Sequence, residues 1–438
     1  MKKVIKVLAW IVGIIVLLWA ILMAVNYGFT TSLRKYIESF EPVNYQVADR
    51  ITPTEENNPN YKVSFVTDKE LKVMVLTDLH IGGGCWSHNK DMKTIYEVIT
   101  MLQNAKPDFV ILNGDNIFAV PGPVYNGGGT LNNKMVAKTV LSLFEHEQVY
   151  FTTVFGNHDT EVFDYYNRQA MANLYMDEQY KYCFFNQDFT DSDAAMPSIT
   201  NQIIPIKSSN GEIRKLLLLL DSNAYVDKSI KAVLDWNYDT IHDAQVEWAE
   251  AAIKDISAQA GLSGGKYIDT YAFFHIPVGE YEMAYRELVN NNLKATTDTK
   301  YVSGVWDEKV DQELGGRIWF GGCSSNQDNP AGADKLFETL GPDGLNCLKG
   351  CFCGHDHVNN AVVEYKGVKL TYCNSIDNLA YTDVDKSGTQ RGCTMLVLRR
   401  DGTDTMLQRN AYKDLGVSDS KFVDIYLDHY FYDGAIPQ

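Results

Sequence analysis

Seven side chains able to bind a hard or borderline cation stand at the ends of apolar runs in this 438-residue chain. Asp78 and His80 follow the run 72–77, and Asp115 follows 109–112. Asn157 follows 149–155, His275 follows 271–274, and His355 with His357 follows 348–353. Each run has the length and apolar content of a buried strand, and the turn residues at its exit mark where the backbone leaves it. His355 and His357, one residue apart on an extended exit from Gly354, point the same way and can serve two neighbouring ions. Carboxylate, imidazole and one amide suit Zn, Fe or Mn better than a thiolate site would. Seven donors are too many for one tetrahedral ion and match two ions sharing a bridge. Singly, each turn reads as a capped strand end. Their recurrence at five strand ends points to a site.

The elements that position these turns alternate. The run 72–77 leads to a helical pattern with Ile95, Val98, Ile99 and Leu102 on one face, and 109–112 leads to a helix over 132–146 and then to 149–155. This β-α-β-α-β order predicts a largely parallel core sheet, in which ligands collect at the carboxyl ends of strands. Asn210-Gly211 between 202–206 and 215–220 predicts a hairpin, as does Lys366-Gly367 between 362–365 and 368–372. Thr240 and Asp243 open a helix with Val246, Ala249, Ile253 and Ile256 on one face, and 393–398 reads as a last strand. The stretches 121–130 and 290–334, rich in Gly, Asn and Asp, read as loops at the rim. The four histidines outside the turns, His88, His146, His242 and His429, read as surface or rim residues.

Net charge is −17, and Asp and Glu are absent before Glu38, so the body is more acidic than the whole. Such a surface repels polyphosphate backbones, which argues against nucleic acid as a partner. Residues 7–25 are 19 uncharged, mostly apolar positions preceded by Lys2, Lys3 and Lys6. That is enough for one spanning helix, with the positive flank in the cytoplasm and the body outside. A cleaved signal peptide is the alternative, but the run is long for one and Leu22-Met23-Ala24 is a poor cleavage site. The chain thus divides into an anchor (1–27), a polar spacer (28–61), a catalytic domain (62–400) and a C-terminal extension (401–438). Of the eight cysteines, Cys351, Cys353 and Cys393 lie in apolar runs; buried thiols are the default reading, with Cys323–Cys347 one possible bridge.

In order along the chain, Asp78-Leu79-His80, Gly114-Asp115, Gly156-Asn157-His158-Asp159, His275 and Gly354-His355-Asp356-His357 resemble the calcineurin-like metallophosphoesterases, on the branch near purple acid phosphatase-like proteins. The resemblance implies a four-layer α/β/β/α sandwich with two mixed sheets and a dimetal site at its edge. It implies one ion on Asp78, His80, Asp115 and His357, a second on Asp115, Asn157, His275 and His355, and Asp115 bridging them. It further implies hydrolysis of phosphate esters, of small molecules or macromolecules, by a hydroxide shared between the ions, with His158 as the acid for the leaving oxygen. Phosphomonoesters are the favoured substrates, with phosphodiesters or pyrophosphates of nucleotide type as the alternative. A surface binding module that keeps the fold without catalysis is the rival from another class. Phe118 stands where purple members carry a tyrosine ligand, so no tyrosinate colour is expected and the metal stays open among Fe, Zn and Mn.

Overall fold

The computed structural model describes residues 2–43, 51–120, 130–192, 196–227, 229, 231, 238–292, 294–304, 331–380, 384 and 391–418. Three strands, β3 (Leu71–Leu76), β4 (Phe109–Asn113) and β5 (Phe151–Val154), pair in parallel register as the order of elements predicts. Helices α2 (His88–Ala105) and α3 (Asn133–Glu147) make the two crossovers, and the short α4 (Arg168–Tyr175) follows β5. Antiparallel β14 (Gly392–Leu398) and β15 (Thr405–Asn410) extend this to five strands in the order β15-β14-β3-β4-β5.

The second sheet is also mixed and has ten strands. Its path is β1 (Thr52–Glu55), β2 (Val63–Val66), β7 (Ser198–Lys207), β8 (Ile213–Leu219), β9 (Thr270–Phe273), β11 (Leu348–Cys353), β13 (Val368–Tyr372), β12 (Val362–Tyr365) and β10 (Thr299–Ser303). The short β6 (Phe189–Asp191) pairs with β7 off that path. Both predicted hairpins form, β7–β8 and β12–β13.

Alternation along the strands sorts the core into three clusters. Val73 and Val75 of β3 face Leu217, Leu219, Phe273 and Phe352 between the sheets, whereas Met74 and Leu76 face Ile95, Val98 and Val140 of the helices. On the other sheet, Leu216, Leu218, Ala272 and Cys351 face α5 (Asp243–Gln259), α6 (Gly279–Asn290) and α7 (Ala331–Leu340). Side chains pointing to opposite faces of each strand therefore build helix, sheet, sheet and helix in succession, the expected four layers.

Three boundaries differ from the sequence expectation. Helix α1 runs unbroken over Lys2–Ile37. Its first part is exposed and apolar, and by length and composition it can cross a membrane. From Asn26 onward one face of it is buried, with Leu33 and Ile37 in the core beneath α2 and α3. The expected spacer is thus partly a docked helix, and of its most linker-like piece, 52–59, residues 52–55 form β1, paired with β2. At the other end, β15 and the buried Ala411, Leu415 and Val417 carry the domain past residue 400. The expected rim stretch 290–334 supplies β10 and the start of α7, and 121–129 and 305–330 lie outside the described residues.

Deleting residues 1–60 therefore removes Leu33, Ile37 and Ile51 from the core as well as the apolar helix. We expect that deletion to lower the melting midpoint, since buried leucine and isoleucine side chains are each worth about 2–5 kcal/mol on truncation to Ala. A chain beginning near Asn26 should keep the full midpoint. Thermal unfolding of the two truncations side by side checks this.

Candidate metal centre

The carboxyl ends of β3, β4, β5, β9 and β11 meet at one edge of the sandwich, and six of the seven predicted ligands lie there in two groups. Ligand atoms of Asp78, His80, Asp115 and His357 lie within 4.8 Å of one another, as do those of Asp115, His275 and His355. Asp115 belongs to both. Its Oδ2 is 3.0 Å from His275 Nε2 and 3.6 Å from His80 Nε2. Asp78 Oδ1 is 3.2 Å from His357 Nε2 and 3.7 Å from His80 Nε2. Asn157 lies at the same edge, between Gly156, which packs on Asp115, and His158, whose backbone N–H donates to Asp115 Oδ1 at 2.7 Å.

The backbone is bent to bring these groups together. Asp78, His80, Asp115 and His355 all have φ between 47° and 73°, a region that non-glycine residues occupy only when the surroundings enforce it. Two glycines allow the approach. A Cβ on Gly114, itself at φ 92°, would strike the His275 ring, and one on Gly354 would strike Thr77 and Asp78.

Several polar atoms at the centre make no hydrogen bond. His80 Nδ1 and Nε2, Asp115 Oδ2, Asn157 Oδ1 and His275 Nε2 are buried without a hydrogen bond. Buried polar atoms are seldom left so, and a cluster of them facing one another is what cations would satisfy. The electrostatics agree. Burial raises the carboxyls of Asp78 and Asp115, yet the surrounding histidines overrule it and hold both well below the usual range. Conversely, burial disfavours imidazolium, but carboxylates around the rings lift His80 to about 10 and His275 to about 9. Protons on these rings occupy the place of cations. His355, pushed down to about 3 by burial and by His275, keeps a free lone pair at neutral pH.

Around the donors lies a shell that orients them. His357 Nδ1 lies 2.8 Å from Asp377 Oδ2, and His275 Nδ1 lies 3.0 Å from the Asn113 carbonyl, so in both rings Nε2 is aimed inward. Asn113 also donates from Nδ2 to the carbonyls of Phe274 and Phe352, stitching the two sheets together beneath the site. Arg391, 1% exposed, donates to the carbonyls of His357 and Asp377. Asp356 accepts from the Val358 N–H at 3.4 Å. Asp221 accepts from Ile199, Thr200 and Arg168 and joins neither donor group.

His158 stands beside the donors, its side chain 21% exposed, with its ring 5.5 Å from that of His80. Its Nδ1 is 2.6 Å from Glu161 Oε1. Asp159 accepts backbone N–H bonds from Asp115, Asn116 and Gly156 and does not reach the His158 ring. It ties the β4 turn to the β5 turn. Phe118 packs 5.0 Å from His80 and 4.8 Å from His158, offering a ring face and no ligand oxygen. Of the remaining histidines, His242 caps α5, and His88 and His146 contact the segment around α1; His429 lies outside the described residues. The seven described cysteines are free thiols, including Cys347; Cys323 of the possible bridge lies outside the described residues.

Glu161, Asp377, Arg391 and Asn113 escaped the sequence analysis. Glu161 follows His158 by three residues, a weak local signal, and Asp377 sits 20 residues from its partner in no motif. Asp377→Asn should weaken metal binding about 10–100-fold while leaving the fold intact, because His357 loses the charge that fixes its tautomer. Competition with a fluorescent chelator measures the change.

Residues 71–359 match the family model for calcineurin-like phosphoesterase. In Arabidopsis thaliana, "Probable inactive purple acid phosphatase 29" is 24% identical over 382 residues, covering 80% of this chain and 82% of that protein. "Probable inactive purple acid phosphatase 28" is 23% identical over 350 residues, covering 74% and 75%. With five strand-end blocks in family order at one edge of a two-sheet sandwich and the family match spanning them, the chain belongs to the calcineurin-like phosphoesterases.

Proposed function

We propose that this chain is a metal-dependent phosphoesterase with two cations, one on Asp78, His80, Asp115 and His357 and the other on Asp115, Asn157, His275 and His355. The observation that carries this reading is the pair of donor groups sharing Asp115, in which His80 Nε2, Asp115 Oδ2 and His275 Nε2 make no hydrogen bond. Two such cations supply Lewis-acid polarisation of phosphoryl oxygens and lower the pKa of a shared water toward neutrality. The protein's own residues do the rest. Asp377 and the Asn113 carbonyl hold His357 and His275 in the tautomer that offers Nε2. Glu161 engages His158 Nδ1, which leaves Nε2 to give a proton to the departing ester oxygen. Asp159 keeps the turns that carry Asp115 and His158 in fixed relation.

A non-catalytic binding module is the second reading, and the names of the Arabidopsis relatives carry the word inactive. In this chain the complete donor groups and the His158–Glu161 pair favour catalysis, since a surface that only binds has no use for an oriented, half-buried imidazole–carboxylate pair beside them. Monoesters are the preferred substrates, with nucleotide-type diesters or pyrophosphates the alternative. The apolar N-terminal helix makes the protein membrane-anchored, with its catalytic body on the side opposite the Lys2, Lys3 and Lys6 flank. Chromogenic mono- and diesters tested with added Fe, Zn or Mn decide the activity. Metal-dependent turnover of the monoester above the diester is expected, and metal binding with no turnover of any ester would leave the binding module.

A further inference from the structure

We propose that the metal centre opens onto the surface of the bilayer that holds α1, and that its substrate is a phosphate monoester carried on a lipid of that bilayer. This rests on the phosphoesterase reading and on α1 spanning the membrane. The direction of α1 carries it. Phe29 stacks edge-on against His88, the first residue of α2, at 5.3 Å. Ser32 reaches the same histidine at 3.5 Å. Farther along, the Glu41 carbonyl accepts from Gln103 in the last turn of α2, and Phe40 and Val43 reach His146 and Glu147 at the end of α3.

The segment from α1 therefore follows α2 from start to finish and runs opposite to β3. Its apolar part projects past the carboxyl edge of the sheet, the edge on which the donors sit. The distance is short. A Cβ on Gly83, three residues after His80, would touch Thr30 Cγ2 at 3.0 Å. Thr30 is five helical residues beyond Val25, about 8 Å along the axis. The ligand turn of β3 thus lies within a headgroup's depth of the last apolar turn.

Exposed apolar side chains gather on the same edge. Beyond α1, Trp86 (69% exposed), Val162, Phe163 and Tyr165 form two loop tips that continue directly from the His80 and His158 turns. Tyr165 is tied to Leu131 at the start of α3, and Thr130 lies beside Gly83, so the two tips flank one rim. The other large exposed hydrophobics of the body among the described residues, Leu262, Met283, Val302 and Leu407, are scattered singly. Tyr27, 57% exposed, adds a ring at the base of the apolar helix. Aromatic rings at this level are what an interface favours, and a contiguous apolar rim on a water-facing site is not.

The occupant that fits is the bilayer itself, which lends its headgroups to the donors and its acyl region to the rim. In the reaction, water adds to phosphorus and the bond from phosphorus to the lipid oxygen breaks. That oxygen takes a proton from His158 and the lipid alcohol stays in the membrane. Inorganic phosphate leaves to the aqueous side.

The test uses the full chain in proteoliposomes, with Cys323→Ser so that Cys85, exposed beside Trp86, takes an environment-sensitive fluorophore. Emission should shift to the blue and fall at least twofold with nitroxide-labelled lipid. A probe at Leu262→Cys in a Cys85→Ser background, beyond the far end of α5, should not respond. A Cys85 probe that reports water and escapes quenching overturns the placement. For the substrate, vesicles carrying a dioleoyl phosphatidic acid are compared with soluble 4-nitrophenyl phosphate. Trp86→Ser with Phe163→Ser should cut phosphate release from the lipid tenfold or more and leave the soluble ester unchanged. Hydrolysis of the soluble ester alone overturns the lipid substrate while the phosphoesterase reading stands. A quenched probe with neither ester hydrolysed retires the phosphoesterase reading and the lipid substrate with it.

Discussion

Replacing Asp115 with Ala should strip both ions from the protein, taking metal content from two per chain to near zero and turnover down by about 10³ or more, because the nucleophile at neutral pH depends on the ions. The expectation follows from the position of one carboxylate in both donor groups. Loss of any other donor leaves one group whole. Elemental analysis against His355→Ala makes the contrast. Should His355→Ala lose both ions and Asp115→Ala only one, the bridge is misassigned. The same electrostatics set a pH dependence. With His80 lifted to about 10 and His275 to about 9, the metal-free site holds protons that cations must displace. Affinity should therefore fall as pH falls, by up to about tenfold per unit for each proton displaced. A chelator titration between pH 8 and pH 6 reads the slope, and a flat profile would contradict the protonated metal-free state.

His158→Ala should do the opposite of Asp115→Ala, keeping both ions and losing about 10²–10⁴ in turnover on esters with poor leaving groups. The backbone N–H of residue 158 holds Asp115 Oδ1, and that bond survives removal of the side chain. The ring, partly exposed and paired with Glu161, is placed to act on the substrate side of the donors. A nitrophenolate leaves as a stable anion and needs little protonation, so the variant should lose less on that ester. Glu161→Gln should show the same leaving-group trend at smaller size, since it removes the partner of Nδ1 and leaves the ring. Equal losses across leaving groups, accompanied by metal depletion, would assign His158 a packing role under Phe118 and His80.

Local chemistry made much of this protein legible from its sequence. The strands β3, β4, β5, β9 and β11 are short apolar runs, and a side chain that ends such a run is fixed to the sheet edge by the backbone alone. For that reason Asp78, His80, Asp115, His275, His355 and His357 could be expected at one edge, and they lie there within 4.8 Å in two groups. The Asn-Gly and Lys-Gly turns likewise foretold two hairpins.

The roles that needed distance stayed hidden. Asp377 and Arg391 reach His357 where Ser375 bridges both Thr77 at the end of β3 and Arg391 before β14, a meeting of residues far apart in the chain. Glu161 reaches the imidazole and Asp159 does not, because a tight turn aims Asp159 at backbone amides and Glu161 at the ring. The polar stretch after the apolar helix looked like a tether by composition. Yet Leu33 and Ile37 recur at helical spacing, and they find a partner only where α2 and α3 leave a groove. Composition could establish that the N-terminus is able to cross a membrane. Only the packing of α1 along α2 decided from which edge of the sandwich its apolar part projects, because a helix direction is set by long-range contacts and has no trace in the order of residues.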